Sequence, residues 1–231
     1  MHNDTNSTIL SLGGSLIVPN GGIDTSFLKE FNSFIRRHIQ NGRRFFIITG
    51  GGATTRHYQK AASEIVSVPD EDLDWLGIHA TRLNAHLVRT IFRDIARPHI
   101  IENYDEKADI EDYPLVIGSG WKPGWSTDYC TVSMAKNYGT KTIINMSNTD
   151  GVYTADPRKD PHAKRIEKMT WKEYRSMFGD IWTPGFSSPI DPIAAKLSDE
   201  LGLTVITLEG KDLDNLEKAI EGKEFVGTTI Q

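Results

Sequence analysis

The run Arg43-Arg44-Phe45-Phe46-Ile47-Ile48-Thr49 stops at Gly50-Gly51-Gly52. Aromatic and β-branched residues without polar interruption read as a buried strand. Beyond the glycines, Ala53 to Ala62 can run as a helix that carries Arg56. Glycines let main-chain N–H groups come close to an anion, and a helix N-terminus adds a favourable dipole. The same order occurs earlier, where Thr8-Ile9-Leu10-Ser11-Leu12 is followed by Gly13-Gly14-Ser15. An ordinary strand-to-helix turn would account for either copy alone. Two copies in one chain point to two phosphate groups to be held.

The rest of the chain continues the alternation. Asp24, Thr25 or Ser26 can cap a helix from Phe27 to Gln40, with Leu28, Phe31, Phe34, Ile35 and His38 at helical spacing. Val66 to Pro69 breaks the helix that bears Arg56. A long helix is expected from Glu71 to Ile95, with Leu73, Leu76, Leu83, Leu87, Val88 and Ile91 as its apolar face. Pro98 to Glu102 and Pro114 to Ile117 are short runs of strand type, joined by the acidic connector Asp105 to Asp112. A glycine-rich loop, Gly118 to Gly124, leads to a helix opened by Ser126-Thr127-Asp128 and stopped by Gly139. Thr142 to Met146 is another buried strand, and Ala155 to Arg165 reads as an exposed loop or lid. Helices at Lys172–Phe178, Pro192–Leu201 and Leu213–Ile220 and a strand at Thr204–Leu208 complete the pattern. Strands alternating with helices predict an α/β fold with a mostly parallel central sheet and helices on both faces. Ligands are then expected along the carboxyl edge of the strands.

Composition narrows the function. The 231 residues fit one domain, and a net charge of −5 leaves no excess of Lys and Arg to neutralise a nucleic acid. Cys130 is the single cysteine, so neither an internal disulfide nor a thiolate metal site can form. No apolar run is long enough for a membrane span, and Met1 to Ser7 lacks the pattern of a signal peptide. A cytoplasmic address is expected. Four turns follow strands: Gly13-Gly14-Ser15, Gly50-Gly51-Gly52, Gly118 to Asp128, and Ser147 to Asp156. Converging on one sheet edge, they suit phosphoryl transfer, where catalysis is mostly positioning and charge neutralisation. Neither glycine cluster matches GxxxxGK[ST] or GxGxxG, so a P-loop NTPase and an ordinary dinucleotide-binding dehydrogenase are set aside.

Asn148-Thr149-Asp150-Gly151-Val152-Tyr153-Thr154-Ala155-Asp156-Pro157-Arg158-Lys159-Asp160-Pro161 is similar to the nucleotide-site loop of the amino-acid kinase superfamily. Gly77-Ile78 with Thr81-Arg82, Pro123-Gly124-Trp125-Ser126-Thr127-Asp128, and Ile190-Asp191-Pro192 with Ala194-Ala195-Lys196 extend the likeness. Over nearly its whole length the chain resembles that superfamily and, within it, the archaeal type of uridylate (UMP) kinase. The resemblance implies a three-layer sandwich as a single domain over residues 1–231. Residues 1–140 would bind the acceptor and residues 141–231 would bind ATP.

Site residues follow from the same resemblance. Gly14 and Ser15 would hold the transferring phosphate, and Gly52 and Arg56 would contact ATP phosphates. Ser147, Tyr153 and Asp156 would seat adenosine. Gly51 and Asp74 would contact UMP, the latter at its ribose. The loop Trp121, Lys122, Pro123, Gly124, Trp125, Ser126 and Thr127 would wrap its phosphate and base. Asp128 would orient donor groups around the reacting phosphates, with Arg56 and Ser15 as catalytic partners. Mg²⁺ would accompany ATP, and a homo-oligomer, a hexamer, is implied.

The chain also departs from the family pattern. Ser11 stands where many members have a charge-neutralising lysine, and Lys122 is a candidate substitute. Asp191 replaces a second lysine of acetylglutamate kinases, which favours the uridylate branch. A kinase of isopentenyl phosphate is a same-fold alternative, although Ala53-Thr54-Thr55 lacks that branch's histidine. A non-catalytic nucleotide or oxyanion binder, like molybdenum storage proteins, is a second alternative. Plainer readings stand beside these: Arg56 as a solvated helix residue, Asp74 as part of an acidic helix start, Asp128 as a helix N-terminal residue. Cys130 reads as core, and Trp75, Trp171 and Trp182 as packing or subunit-contact residues.

Overall fold

The computed structural model describes residues 6–20, 22–110, 113–157, 159–181 and 188–231. Strand β1 (Ser7–Leu12) is followed by α1 (Gly14–Ile17), α2 (Thr25–Gln40), β2 (Arg44–Thr49), α3 (Gly52–Ile65), α4 (Asp70–Ile91) and β3 (Leu115–Gly118). Then come α5 (Thr127–Tyr138), β4 (Thr142–Ser147), a hairpin of β5 (Val152–Tyr153) with β6 (Arg165–Ile166), and β7 (Lys168–Met169). The chain continues through α6 (Trp171–Phe178), α7 (Pro192–Glu200), β8 (Thr204–Glu209), α8 (Leu213–Ile220) and β9 (Thr228–Ile230).

The main sheet runs β3-β2-β1-β4-β8-β9-β7 and is parallel except between β8 and β9. Side chains alternate across a strand, so each strand feeds two cores. Leu10, Leu12, Phe45, Ile47, Ile144 and Met146 pack with residues of α1, α2, α4 and α8. Ile9, Phe46, Ile48 and Ile143 pack on the other face with residues of α5, α6 and α7. This is the three-layer arrangement expected from the sequence.

The element expectations hold with specific exceptions. The long helix ends at Ile91, not Ile95, because the chain turns at Phe92 to form the isolated bridge of Ala96 with Leu115. Pro98 to Glu102 makes no strand of its own and contributes only the bridge of Ile101 with Gly118. Leu83, assigned to the apolar face of that helix, is 64% exposed. The buried face instead includes the polar Thr81 and Asn84. The loop from Ala155 is closed by the two-residue strands of a hairpin too short to leave a periodic signal. Trp171 packs as expected, 3% exposed with its indole N–H on the Leu203 carbonyl at 2.8 Å. Trp182 and Arg158 lie outside the described residues.

Strand order reverses between β1 and β4, because the chain leaves β1 toward β2 and leaves β4 toward β8. Open α/β sheets bind ligands at such a point, beyond the carboxyl ends of the strands. Here the Gly13 N–H donates to the Met146 carbonyl at 3.0 Å and pins the turn after β1 to the end of β4.

Candidate active site

The two glycine turns interlock. A Cβ on Gly14 would lie 2.1 Å from the Gly52 nitrogen and 2.6 Å from the Gly50 carbonyl carbon. A Cβ on Gly52 would lie 2.2 Å from the Gly14 oxygen. Only glycine lets two backbones approach this closely, and Gly52 also needs its φ of +64°. Hydrogen bonds from Gly50 N–H to the Leu12 carbonyl (3.0 Å) and from Ala53 N–H to the Val18 carbonyl (2.9 Å) fasten the pair. Arg56 sits one turn into α3, so its side chain leans back toward the glycines. Its guanidinium donates to Asn20 Oδ1 at 3.1 Å, bridging toward the loop that follows α1.

Beside these turns opens a cleft of about 480 Å³. Ser15, Ser147, Tyr153 and Asp156 all line it, together with Gly13, Asn148 and Thr149. Tyr153 is held in place, since its hydroxyl donates to Asp150 Oδ1 at 2.7 Å while Arg165 holds Asp150 Oδ2 at 3.0 Å. Met177, Phe178, Ser188 and Pro189 also line the cleft. Sequence reasoning missed these four, because they come from the end of α6 and the segment before α7, far along the chain from the motif.

A second, smaller pocket of about 80 Å³ is lined by Asp74, Gly124, Trp125, Ser126, Tyr129, Asp191 and Ile193. Asp74, read as a ribose contact, accepts a hydrogen bond from the Gly124 N–H at 2.8 Å and so ties α4 to the loop before α5. The rings of Tyr104, Trp121, Trp125 and Tyr129 form a ladder along that loop, with Trp125 and Tyr129 centroids 3.9 Å apart. Lys122 lies 3.8 Å above the Trp121 ring and pairs with Asp105 at 3.8 Å. It therefore has local partners and does not line either opening. Neither do Trp121, Pro123, Thr127, Gly51 or Gly14, although Thr127 is the first residue of α5, where N–H groups lack helical acceptors. Thr81 and Arg82 hold the loop from below: the Thr81 hydroxyl accepts from Gly120 N–H at 2.8 Å, and Arg82 donates to the Trp121 carbonyl at 3.1 Å.

Asp128 and Asp191 form a carboxyl pair between the two openings. Asp191 caps α7, accepting from Ile193 N–H (2.7 Å) and Ala194 N–H (3.0 Å), and takes a short hydrogen bond from the Ser126 hydroxyl. Its own N–H donates to Asp128 Oδ2 at 3.0 Å. Asp128, Ser11 and Asn145 line a void of about 10 Å³, and Asn145 faces the larger cleft as well. Ser11 thus lies on the Asp128 side of the sheet, with little room beside it for a longer side chain. Burial, and then the neighbouring Asp191 carboxyl, push Asp128 up to about 7. Burial likewise pushes the Cys130 thiol up to about 12, which suits a core residue and not a nucleophile.

The buried Asp128 carboxyl makes the stability of the fold depend on pH. Between the ordinary carboxylate range and about pH 7 the folded chain binds a proton that the unfolded chain has released. The contribution of this group is therefore fully present below the ordinary range and lost as pH rises through about 7. An Asp128→Asn variant keeps an oxygen for the Asp191 N–H but carries no charge. Its melting temperature should exceed the parent's at pH 8 by more than at pH 5. An equal difference at the two pH values would mean that the carboxyl titrates normally.

Residues 6–100 and 118–207 match the amino acid kinase family. The chain belongs to that family. Among similar family members is the uridylate kinase of Methanospirillum hungatei, 35% identical over 225 residues that cover 96% of this chain and 93% of that protein. The uridylate kinase of Pyrococcus abyssi is 32% identical over 226 residues, covering 96% and 98%. A crystal structure of uridylate kinase from Archaeoglobus fulgidus superposes with a TM-score of 0.82 at 29% identity, over 97% of this chain and 99% of that one. The amino acid kinase assignment from the nucleotide-loop motif is thereby borne out.

Proposed function

We propose that the protein transfers the γ-phosphate of ATP to UMP, giving ADP and UDP for pyrimidine nucleotide synthesis. The observation that carries this reading is a wall common to two openings. Asp191 lines the smaller pocket, Asp128 accepts its N–H, and Asp128 shares a void with Asn145, which lines the larger cleft. Donor and acceptor bound in these openings would face one another across the β1–β4 switch point. The larger cleft takes ATP, with phosphates toward Gly14, Ser15 and Gly52 and adenosine among Ser147, Tyr153 and Asp156. The smaller pocket takes UMP, and its aromatic loop moves to admit the nucleotide. Residues 1–140 supply most of the acceptor pocket and residues 141–231 most of the adenosine site, while Gly14, Ser15 and Gly52 reach ATP from the first half and Asp191 and Ile193 reach the acceptor pocket from the second. Relatives across the full length are uridylate kinases, which favours this reading over isopentenyl phosphate phosphorylation or oxyanion storage.

Among the described residues, no three His, Cys, Asp or Glu side chains gather to cage a metal. Mg²⁺ commonly keeps several waters and binds through one or two carboxylates plus substrate phosphates. The residues present fit an ion that arrives on ATP, which would meet Asp156 as the carboxylate lining the larger cleft, while Asp128 lies in the small void behind Asn145. When bound, the ion would neutralise charge on the phosphate oxygens. The protein's own part is to align the phosphates with main-chain amides and to supply the Arg56 guanidinium as charge spreads in the transition state. No helix among the described residues is long and apolar enough to cross a membrane. With ATP and UMP as substrates, the cytoplasm is its place of work. The exposed Tyr58, Ile65, Leu83 and Trp75 of α3 and α4 suit a homo-oligomer such as the hexamer expected above.

ADP release from Mg·ATP, compared across UMP, CMP, dCMP and isopentenyl phosphate, tests the proposal. UMP should be preferred by at least about tenfold in kcat/KM, since a pocket that hydrogen-bonds its ligand rejects analogues lacking those groups. Preference for isopentenyl phosphate, or no acceptor-dependent release, would overturn it.

A further inference from the structure

Asn84 is a polar residue buried in the middle of α4, 3% exposed and outside both openings. Its side-chain amide donates to two successive carbonyls of the second glycine turn, Gly50 at 2.8 Å and Gly51 at 3.2 Å. No described peptide bond is cis. In a trans peptide the C=O and the following N–H point in opposite directions. A grip on the Gly50 and Gly51 carbonyls therefore aims the N–H groups of Gly51 and Gly52 away from α4.

What lies on that opposite side is the other glycine turn. A Cβ on Gly14 would sit 2.7 Å from the Gly51 nitrogen and 2.1 Å from the Gly52 nitrogen. Neither of these N–H groups has a hydrogen-bond acceptor among the described residues, whereas Gly50 and Ala53 on either side donate to Leu12 and Val18. Gly51 is right-handed (φ −84°, ψ −24°) and Gly52 has φ +64°. Successive right- and left-handed residues turn neighbouring N–H groups into a concave anion nest.

We propose that Asn84 is a positioning residue for phosphoryl transfer: by gripping two carbonyls it fixes two main-chain donors that meet the phosphate groups. This rests on the phosphotransferase reading above. Asn84 touches no substrate. Its effect passes through the Gly50–Gly51 and Gly51–Gly52 peptide planes, which three glycines would otherwise leave free to rotate.

Two variants test the idea in the full-length protein. Asn84→Leu keeps the bulk and removes both donors. Asn84→Asp keeps the shape and can donate only while its carboxyl is protonated. Turnover with Mg·ATP and UMP is measured from pH 6 to pH 9, below the melting temperature of each variant. Asn84→Leu should lose at least about tenfold in kcat at every pH, with the KM for UMP changed less than kcat, because donors aimed at a transition state act on turnover. Asn84→Asp should approach the parent at pH 6 and fall toward the leucine variant as pH rises. A leucine variant within threefold of the parent would overturn the proposal. So would Gly51 and Gly52 amide resonances that respond to an ATP analogue in Asn84→Leu as they do in the parent, which is the mark of packing alone. A third readout is independent of the acceptor: the amide resonances of Gly51 and Gly52 should shift on adding a non-hydrolysable ATP analogue to the parent and stay unmoved in Asn84→Leu. A parent without UMP-dependent turnover would sink the phosphotransferase reading, while those resonances would still decide the role of Asn84.

Discussion

Gly14→Ala should cost the protein both its stability and its activity. The new methyl group would sit 2.1 Å from the Gly52 nitrogen, 2.6 Å from the Gly50 carbonyl carbon and 2.7 Å from the Gly51 nitrogen. All three are main-chain atoms, so no side-chain rotation relieves the clash. The backbones cannot part cheaply either, because β1 and β2 are in register from Ser7–Arg44 to Leu12–Thr49 and the turns are cross-bonded. Overpacking of this kind costs about 3 kcal/mol or more. In a domain of this size that is on the order of 10 °C in melting temperature. Turnover should fall below detection as the anion-facing amides separate. Gly77→Ala is the control, since in α4 its methyl group would meet only side-chain atoms, the nearest at 3.4 Å. There the same substitution should be neutral or gain roughly 0.5 kcal/mol from helix propensity. Equal melting temperatures for the two variants would show that the turns have slack.

Arg56→Ala should lower kcat by about 10²-fold with the fold intact. The side chain is exposed, and its hydrogen bond is to the neutral Asn20, so stability should change by no more than about 0.5 kcal/mol. The loss therefore reads as function. A planar guanidinium presents several fixed donors to phosphate oxygens, and an ammonium does not. Arg56→Lys should accordingly recover little of the turnover. Normal kcat with a raised KM for ATP would place Arg56 in ground-state binding instead.

The layers of the fold were legible because their signals are local. Largely buried runs such as Phe45 to Ile48 and Ile143 to Met146 end on turns, and caps such as Asp24 and Ser126 mark helix starts. The nucleotide cleft was partly legible for the same reason, since Ser147, Tyr153 and Asp156 come from one contiguous stretch. What escaped were contacts set by distance along the chain. Met177 and Pro189 reach the cleft from other elements. Asp191 stood out in the sequence only as a departure from acetylglutamate kinases, and only the fold brings it to Asp128. Asn84 broke the expectation differently. An apolar pattern for α4 chose Leu83 as buried, yet the residue beside it faces inward because two glycine carbonyls need a donor there.

The interlocked turns bear on how the protein could evade an inhibitor. Gly14, Gly51 and Gly52 themselves offer a ligand only main chain, so none of the three has a side chain to exchange. A compound gripping those amides could be evaded only indirectly, through a residue that holds the turn in place, such as Asn84. A compound leaning on Trp125 or Lys122 would meet side chains free to vary, and resistance to it would arise by single changes in the aromatic loop.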